Sequence, residues 1–323
     1  MSSPNVGFNI NWTYSGIPSV CQVEQEPLMY AVITIALLGF IGNALFIFVV
    51  ARVKSMRTLP NYFIINLACT DLLCLFGFLL FPLLNALGAT HIVMVVYLRV
   101  LFMDIATFTS IFTVLLITID RYIAICHPLK ASRIQGKRRM CNLTVLAWIL
   151  GMCLGLCEYL PLTLSPINNT NTAKITLFLF LAFAVIPLIC IGVLYGFIAR
   201  RLMTADIILE KAHSRSKWRR EKQVLLVCTL VLVVFFICIL PQICMLIYAP
   251  FMLVTSMRVP VEMTMCFAVI SPLMMIINFA VNPFIYNLPS RNQRRAFLLA
   301  FGGKRGKRYQ NSFNSRNYSL TSV

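Results

Sequence analysis

"SIFTVLLITIDRYIAICHPLK", residues 110–130, runs for ten positions with only Ser and Thr as polar side chains and then sets Asp120 and Arg121 side by side. The reading of that boundary decides the fold. An apolar helix that ends on charges is leaving hydrocarbon, so the neighbouring segments have to be read as membrane spans as well. Composition agrees: of 323 residues, 59% are hydrophobic and only 12% charged, more apolar surface than a soluble domain of this size can bury.

Apolar segments long enough to cross a bilayer lie at 28–51, 61–87, 92–119, 141–163, 175–199, 223–249 and 262–287. Seven spans of this length satisfy their own backbone hydrogen bonds as helices, and the short alternating pattern of a membrane barrel is missing. The expected fold is therefore all-α: a seven-transmembrane-helix bundle at 28–288 with a short amphipathic eighth helix. Residues 1–27 form an outer N-terminal segment. In "SRNQRRAFLLAF", within the segment 289–301, Arg291, Arg294 and Arg295 stand against Phe297, Leu298 and Phe301, the pattern of a helix lying in the membrane interface. The polar, basic tail at 302–323 is expected to be disordered, and it has no cysteine to carry a palmitoyl anchor.

The net charge of +18 would point to nucleic acid on a soluble domain, but its distribution rules that partner out. Placing alternate connections on opposite sides puts 25 of the 28 Lys and Arg on one face and leaves only Arg99, Lys174 and Arg258 on the other. That asymmetry predicts a cytoplasmic basic face, an external N-terminus and a cytoplasmic C-terminus in a multi-pass plasma-membrane protein, with attraction to anionic lipid of the bilayer as a secondary effect. The first 27 residues have no signal-peptide core, so the first span is expected to serve as an uncleaved anchor. Glycosylation sequons begin at Asn11 and Asn168, both on the external side. Most of the twelve cysteines lie inside spans as small packing residues; Cys21 and Cys266 are the candidate external disulfide pair.

Polar residues inside spans are costly and therefore candidates for function, with helix packing as the competing explanation. Asp71, Asn43, Ser110, Asn278 and Asn282 lie at comparable depths, and Asn278 and Asn282, four apart, share a helix face. A carboxylate among amide and hydroxyl oxygens suits a small hard cation, a proton, or a hydrogen-bonded packing knot. Pro187, Pro241 and Pro283 interrupt spans five, six and seven, where each removes a backbone bond and can bend or hinge its helix.

Asn43, "NLACTD" in span two, "DRYIAICHPL" after span three, Trp148, Pro187 with Tyr195, Phe235 with Pro241, and "NPFIY" in span seven occur in the order of the rhodopsin-like (class A) G-protein-coupled receptors, which the chain resembles over about residues 28–301. The resemblance implies a receptor that binds an extracellular ligand and activates a heterotrimeric G protein. Arg121 would be held by Asp120 and Glu221 in the inactive state and released on activation, with Tyr122, Tyr195, Asn282, Pro283 and Tyr286 in the coupling machinery. Asp71, Ser110, Asn278 and Asn282, with Asn43 nearby, match the family's sodium pocket, which makes a sodium ion an expected modulator; no other cofactor or metal is expected. Phe235, Ile239 and Pro241 occupy the switch of span six. Ser312, Ser315, Ser319 and Thr321 suit phosphorylation and arrestin binding, and the terminal Thr321-Ser322-Val323 suits a PDZ domain.

The chain departs from that pattern in three places. Val96 stands where most of the family has the cysteine of a disulfide to the second outer loop, and "LSPINNTNTA" has no partner for it. In this the chain is similar to the melanocortin and lysophospholipid branches. Ile239 replaces the aromatic switch residue. Met103 stands where amine receptors have an aspartate, and the adjacent Asp104 is turned by about 100° around the helix. A peptide or small lipid is thus favoured over an amine, and no lysine in span seven can hold retinal.

Ligand-facing candidates are Arg99, Met103, Asp104, Thr107, Glu158, Gln242 and Glu262. Arg99 either meets an acidic ligand group or snorkels to the headgroups. Two other functions compete: an odorant-type receptor of the same fold, since "DRYIAICHPL" also resembles that branch, and an ion channel or transporter, for which no internal repeat is found. An enzyme is excluded: His91, His127 and His213 lie at span edges or in a loop, with no nucleophile or metal-ligand arrangement.

Overall fold

The computed structural model describes residues 25–87, 92–134, 136–164, 170–209, 226, 229–244, 261–287 and 291–302, and these are entirely helix and short connections. In chain order the helices are α1 (Gln25–Arg52), α2 (Leu59–Ala86), α3 (Ile92–Cys126), α4 (Pro128–Ile134), α5 (Lys137–Leu164), α6 (Thr170–Phe180), α7 (Ile186–Leu209), α8 (Thr229–Cys244), α9 (Val261–Asn287) and α10 (Arg291–Phe301). A 3-10 turn at Lys54–Met56 joins α1 to α2, and a π turn at Leu181–Val185 joins α6 to α7 into one span. Among the described residues five helices are long and apolar enough to cross a membrane, and two shorter apolar ones lie at Thr229–Cys244 and Val269–Ile285. The end of the bundle bearing Asp120 and Arg121 is called the inner end below, and the opposite one the outer end.

The burial pattern is that of a membrane protein. On α1 the large side chains Leu37, Leu38, Ile41, Leu45 and Phe48 are exposed, whereas Asn43 is wholly buried. In hydrocarbon an outward leucine costs nothing and an outward amide costs several kilocalories, on the order of 2–7 kcal/mol, so polar groups turn inward.

Close helix pairs hold the bundle together. Along α2 and α3 the pairs Asn66–Thr113, Thr70–Ser110, Gly77–Phe102 and Phe78–Arg99 follow one another in antiparallel register. On α5, Gly151 lies against Thr109 and Gly155 against Ile105: a Cβ on either would come within 2.0 Å and 2.7 Å of those side chains. Helices α1 and α9 run parallel, with Gly39 against Ala280 and Gly42 against Pro283. Small residues take these places because without water to drive helices together, close van der Waals approach has to do so.

Three features were not legible from hydropathy. The apolar run of span three stops at Ile119, yet α3 continues through Asp120 and Arg121 to Cys126, because charges mark the edge of hydrocarbon and do not break a helix. The connection after it folds into the short α4, whose Ala131 packs inward. The π turn lies just before Pro187, where the missing N–H and the ring's clash with the carbonyl four residues earlier widen the helix. Pro82 and Pro272 also lie inside helices, in addition to the prolines singled out above. Beyond α9, α10 lies along α1 with the Phe301 ring 5.7 Å from that of Phe48, and Ala296 and Ala300 are buried while Leu298 is 74% exposed.

Replacing Gly151 with Ala is expected to lower stability by about 1–3 kcal/mol through overpacking against Thr109. Gly192→Ala, with nothing within 4 Å of the new carbon, should instead gain a few tenths to about 1 kcal/mol from helix propensity. Thermal unfolding of the two purified variants in one detergent measures both signs.

Candidate functional site

At the inner end α3 presents Asp120 and Arg121 as an ion pair, Arg121 Nη2 donating to Asp120 Oδ2 at 2.6 Å. Arg121 is buried, with 8% of its surface exposed. Asp120 also lines a mostly apolar cleft with Leu59, Phe63, Leu116, Met140 and Leu143, into which Arg139 brings a second cation. Tyr122 points to α7 and the inner loop: its ring lies 6.3 Å from Phe197 and 5.5 Å from His127. Tyr195 packs half-buried against the core. The expected second holder of Arg121, Glu221, lies outside the described residues, as do Asn11, Asn168, Cys21 and the tail from residue 303; of the side chains of Glu158, Glu262 and Tyr286 nothing is described.

In the middle of the bundle a layer of polar side chains is closed off from lipid. Asp71 has no exposed surface, and its Oδ2 accepts from Asn282 Nδ2 at 2.9 Å. Asn43 Nδ2 donates to the carbonyls of Gly39 and Phe279, both at 3.0 Å, which fixes α1 to α9. Thr70 donates to the Leu67 carbonyl, so its 2.8 Å contact with Ser110 is donated by Ser110. Asn278 is buried in the same layer. Among the described residues two buried oxygens, Asp71 Oδ1 and Asn43 Oδ1, have no hydrogen-bond donor. A buried, unsatisfied carboxylate oxygen is expensive unless a proton or cation reaches it.

The outer half brings together a second group. Thr107 donates to the Met103 carbonyl at 2.7 Å, and Met103 packs against the core from the same face of α3 as Arg99. Arg99 does not reach for headgroups. Its guanidinium lies 5.3 Å from the ring centre of Phe78, a buried residue of α2, so the side chain turns into the bundle. Asp104 is half-buried. Gln242 of α8 accepts a hydrogen bond from Ser271 of α9, which links the two helices at this level. Below them Phe235 and Ile239 are buried in the main core, with Pro241 half-buried. Ile239 thus fills its place as an ordinary apolar core residue. Cys266, on α9, is disulfide-bonded.

Sequence reasoning missed several of these partners. Asn66 takes a 2.7 Å hydrogen bond from Trp148 Nε1 and gives one of the same length to Thr113, so one amide ties α2, α3 and α5 together. Asn66 carries the same signal that marked Asn43, a polar side chain in an apolar span. Ser271 carries it more weakly, as Ser110 does, whereas Phe78 carries no signal that stands out.

The family model for the 7 transmembrane receptor (rhodopsin family) matches residues 42–286. The chain belongs to the rhodopsin family of seven-transmembrane receptors. Among its relatives are the neuromedin U receptor homolog nmur-2 of Caenorhabditis elegans, 27% identical over 353 aligned positions that cover 94% of this chain and 87% of the relative. The thyrotropin-releasing hormone receptor of Mus musculus is 28% identical, covering 85% of this chain and 82% of the relative, and that of Ovis aries is 28% identical with 85% and 81% covered. The receptor is accordingly a multi-pass membrane protein and not an enzyme.

In this receptor Trp148→Phe removes the indole donor and leaves Asn66 Oδ1 unpaired, an expected loss of about 1–2 kcal/mol. Asn66→Ala combined with Trp148→Phe should cost less than the sum of the two, because both act on one bond. A thermal-unfolding double-mutant cycle measures the difference.

Proposed function

We propose that this chain is a plasma-membrane receptor for a peptide, with its N-terminus outside, which activates a heterotrimeric G protein at its inner end. The buried Asp120–Arg121 pair carries the reading. A guanidinium held on its own helix beside α7 is a charge that can be withheld from a partner in one arrangement of the helices and offered in another. Kinship with receptors for neuromedin U and thyrotropin-releasing hormone supports a peptide as the ligand. The basic asymmetry of the loops supports the orientation.

The mechanism is a two-state equilibrium. In the resting arrangement Asp120 neutralises Arg121. A ligand in the outer half contacts Arg99, Met103 and Thr107 on α3 and Gln242 on α8, and it stabilises the arrangement in which α8 swings about Pro241. An inner partner that binds the exposed Arg121 prefers that same arrangement, so ligand and G protein raise each other's affinity. Arg99, turned into the bundle against the Phe78 ring, is suited to an acidic or carbonyl group of the peptide.

The residues of the central layer suit a sodium ion: among the described residues Asp71 Oδ1 has no hydrogen-bond donor, and Ser110 and Asn278 are buried residues with hard oxygens. Sodium there would supply the positive charge that the buried carboxylate lacks. Asp71, Asn282 and Ser110 then bind α2, α9 and α3 in the resting arrangement. Arrestin recruitment by a phosphorylated tail and capture of Thr321-Ser322-Val323 by a PDZ domain remain proposals from the sequence pattern.

Arg121→Gln is expected to abolish nucleotide exchange on G proteins co-expressed with the receptor while surface display stays within about twofold of wild type; exchange at the wild-type level would remove Arg121 from the mechanism. Replacing potassium by sodium should raise the midpoint of thermal unfolding of the wild type by a few degrees and leave Asp71→Asn unmoved. Equal shifts in the two proteins would mean that sodium acts elsewhere.

A further inference from the structure

We infer that the cleft beside Asp120 binds one anionic phospholipid of the leaflet at the inner end, with its phosphate on Arg139 and an acyl chain between α2, α3 and α5. The cleft holds about 460 Å³ of open space among these three helices. Apart from Asp120, its lining takes no part in the two-state mechanism.

The lining is graded with depth in the membrane. Helix α3 reaches the inner end at Asp120, so Leu116, four residues earlier, stands about 6 Å deeper. Helices α2 and α5 start at that end and run the other way, so Phe63 lies deeper than Leu59, and Leu143 deeper than Arg139. On α5, Gly136, Arg139, Met140 and Leu143 follow at the spacings of one helix face, and that face lines the cleft. Asp120 and Arg139 therefore stand at the mouth, while Phe63, Leu116 and Leu143 line the deep part. An amphiphile with its head at the membrane edge and its chain toward the middle has the same grading; a soluble anion matches only the mouth.

Charge at the mouth selects the head. The Asp120 carboxylate is met by Arg121 at 2.6 Å, so it does not repel an anion as a lone carboxylate would. Arg139 brings a cation into the cleft, and Lys137 is held at its edge with Nζ 5.8 Å from the centre of the Tyr62 ring. Gly136 leads into α5, whose first N–H groups have no carbonyl of their own helix to bond and form the positive end of its dipole. These groups favour a head with net negative charge over a zwitterionic one, whose ammonium would face the same cations. The apolar lining adds little preference, because a chain that enters from the bilayer exchanges one hydrocarbon surrounding for another. Discrimination lies in the head, and each basic residue near a membrane surface gives roughly a fivefold preference for anionic lipid.

The test uses the full-length receptor in phosphatidylcholine nanodiscs doped with phosphatidylglycerol or phosphatidylcholine bearing the same photoreactive acyl chain. After illumination and proteolysis, the phosphatidylglycerol probe should label peptides containing Phe63, Leu116 or Leu143 roughly fivefold more than the phosphatidylcholine probe. Arg139→Gln should remove most of that preference, and Arg294→Gln, on α10, should leave it intact. Leu143→Trp, which fills the deep part, should lower cleft labelling by both probes. Thermal unfolding reports whether each variant folds, and the wild-type comparison of the two probes decides the matter without any variant. Equal labelling by the two probes, or an undiminished preference in folded Arg139→Gln, overturns the inference. Unlabelled phosphatidylglycerol should compete with the probe, while glycerol phosphate and cholesterol should not. Competition by glycerol phosphate would make the mouth a simple anion site, and competition by cholesterol would make the cleft a sterol site; either result overturns the phospholipid.

Discussion

Asp71 is a carboxylate with no exposed surface in the middle of a bundle whose outer face is leucine, isoleucine and phenylalanine. A charge or an acid proton at that depth has to be met from within, and the other helices are arranged so that it is. Asn282 reaches it from α9, the Thr70–Ser110 pair closes the α3 side, and Asn43 holds α1 against the backbone of Phe279. Four helices bring buried polar side chains inward because hydrocarbon offers no alternative partner. Above and below this layer, contact is mostly apolar and adjustable; within it, a change of partner for one oxygen is a change in the relative position of helices.

That placement explains how the two ends can communicate. The layer lies between Gln242–Ser271 and Arg99–Phe78 on the outer side and Asp120–Arg121 on the inner side. The α2–α3–α5 wall is stitched by Asn66, Trp148 and Thr113 and packed through Gly151 and Gly155, so it is stiff. Helix α8 packs into the core through apolar side chains such as Phe235 and Ile239, carries Pro241, and is tied to α9 by Gln242 and Ser271. On the two-state mechanism proposed above, the proline-bearing helix is the one to move against this wall.

Most of the fold could be read from the chain because membrane helices announce themselves by length, and loops by charge. Asp71, Asn43, Ser110 and Asn282 were equally plain, since polarity at depth is rare enough to carry meaning. What escaped was relational. Arg99 left open inward and outward readings until Phe78 was found beneath it, and no one-dimensional pattern pairs residues 78 and 99. The extension of α3 past Ile119 escaped because hydropathy reports solvent and not hydrogen bonding. The glycines of α5 escaped because closeness of approach depends on what faces them, and Gly192 and Gly196 on α7, facing nothing, look the same in sequence.

The π turn at Leu181–Val185 has a consequence for how this surface can change over generations. A π turn holds one residue more than the α-turn it replaces, so removing one residue there can restore α-geometry while the helix on each side stays intact. Such a deletion would leave α6 and α7 facing much as they do now, because the wide turn already absorbs the extra residue. Single-residue insertions and deletions are usually ruinous inside a membrane span. At this joint a change of one residue can be taken up by the width of the turn, so that the span can vary in length while α6 and the inner half, from Pro187 to Leu209, both keep their faces.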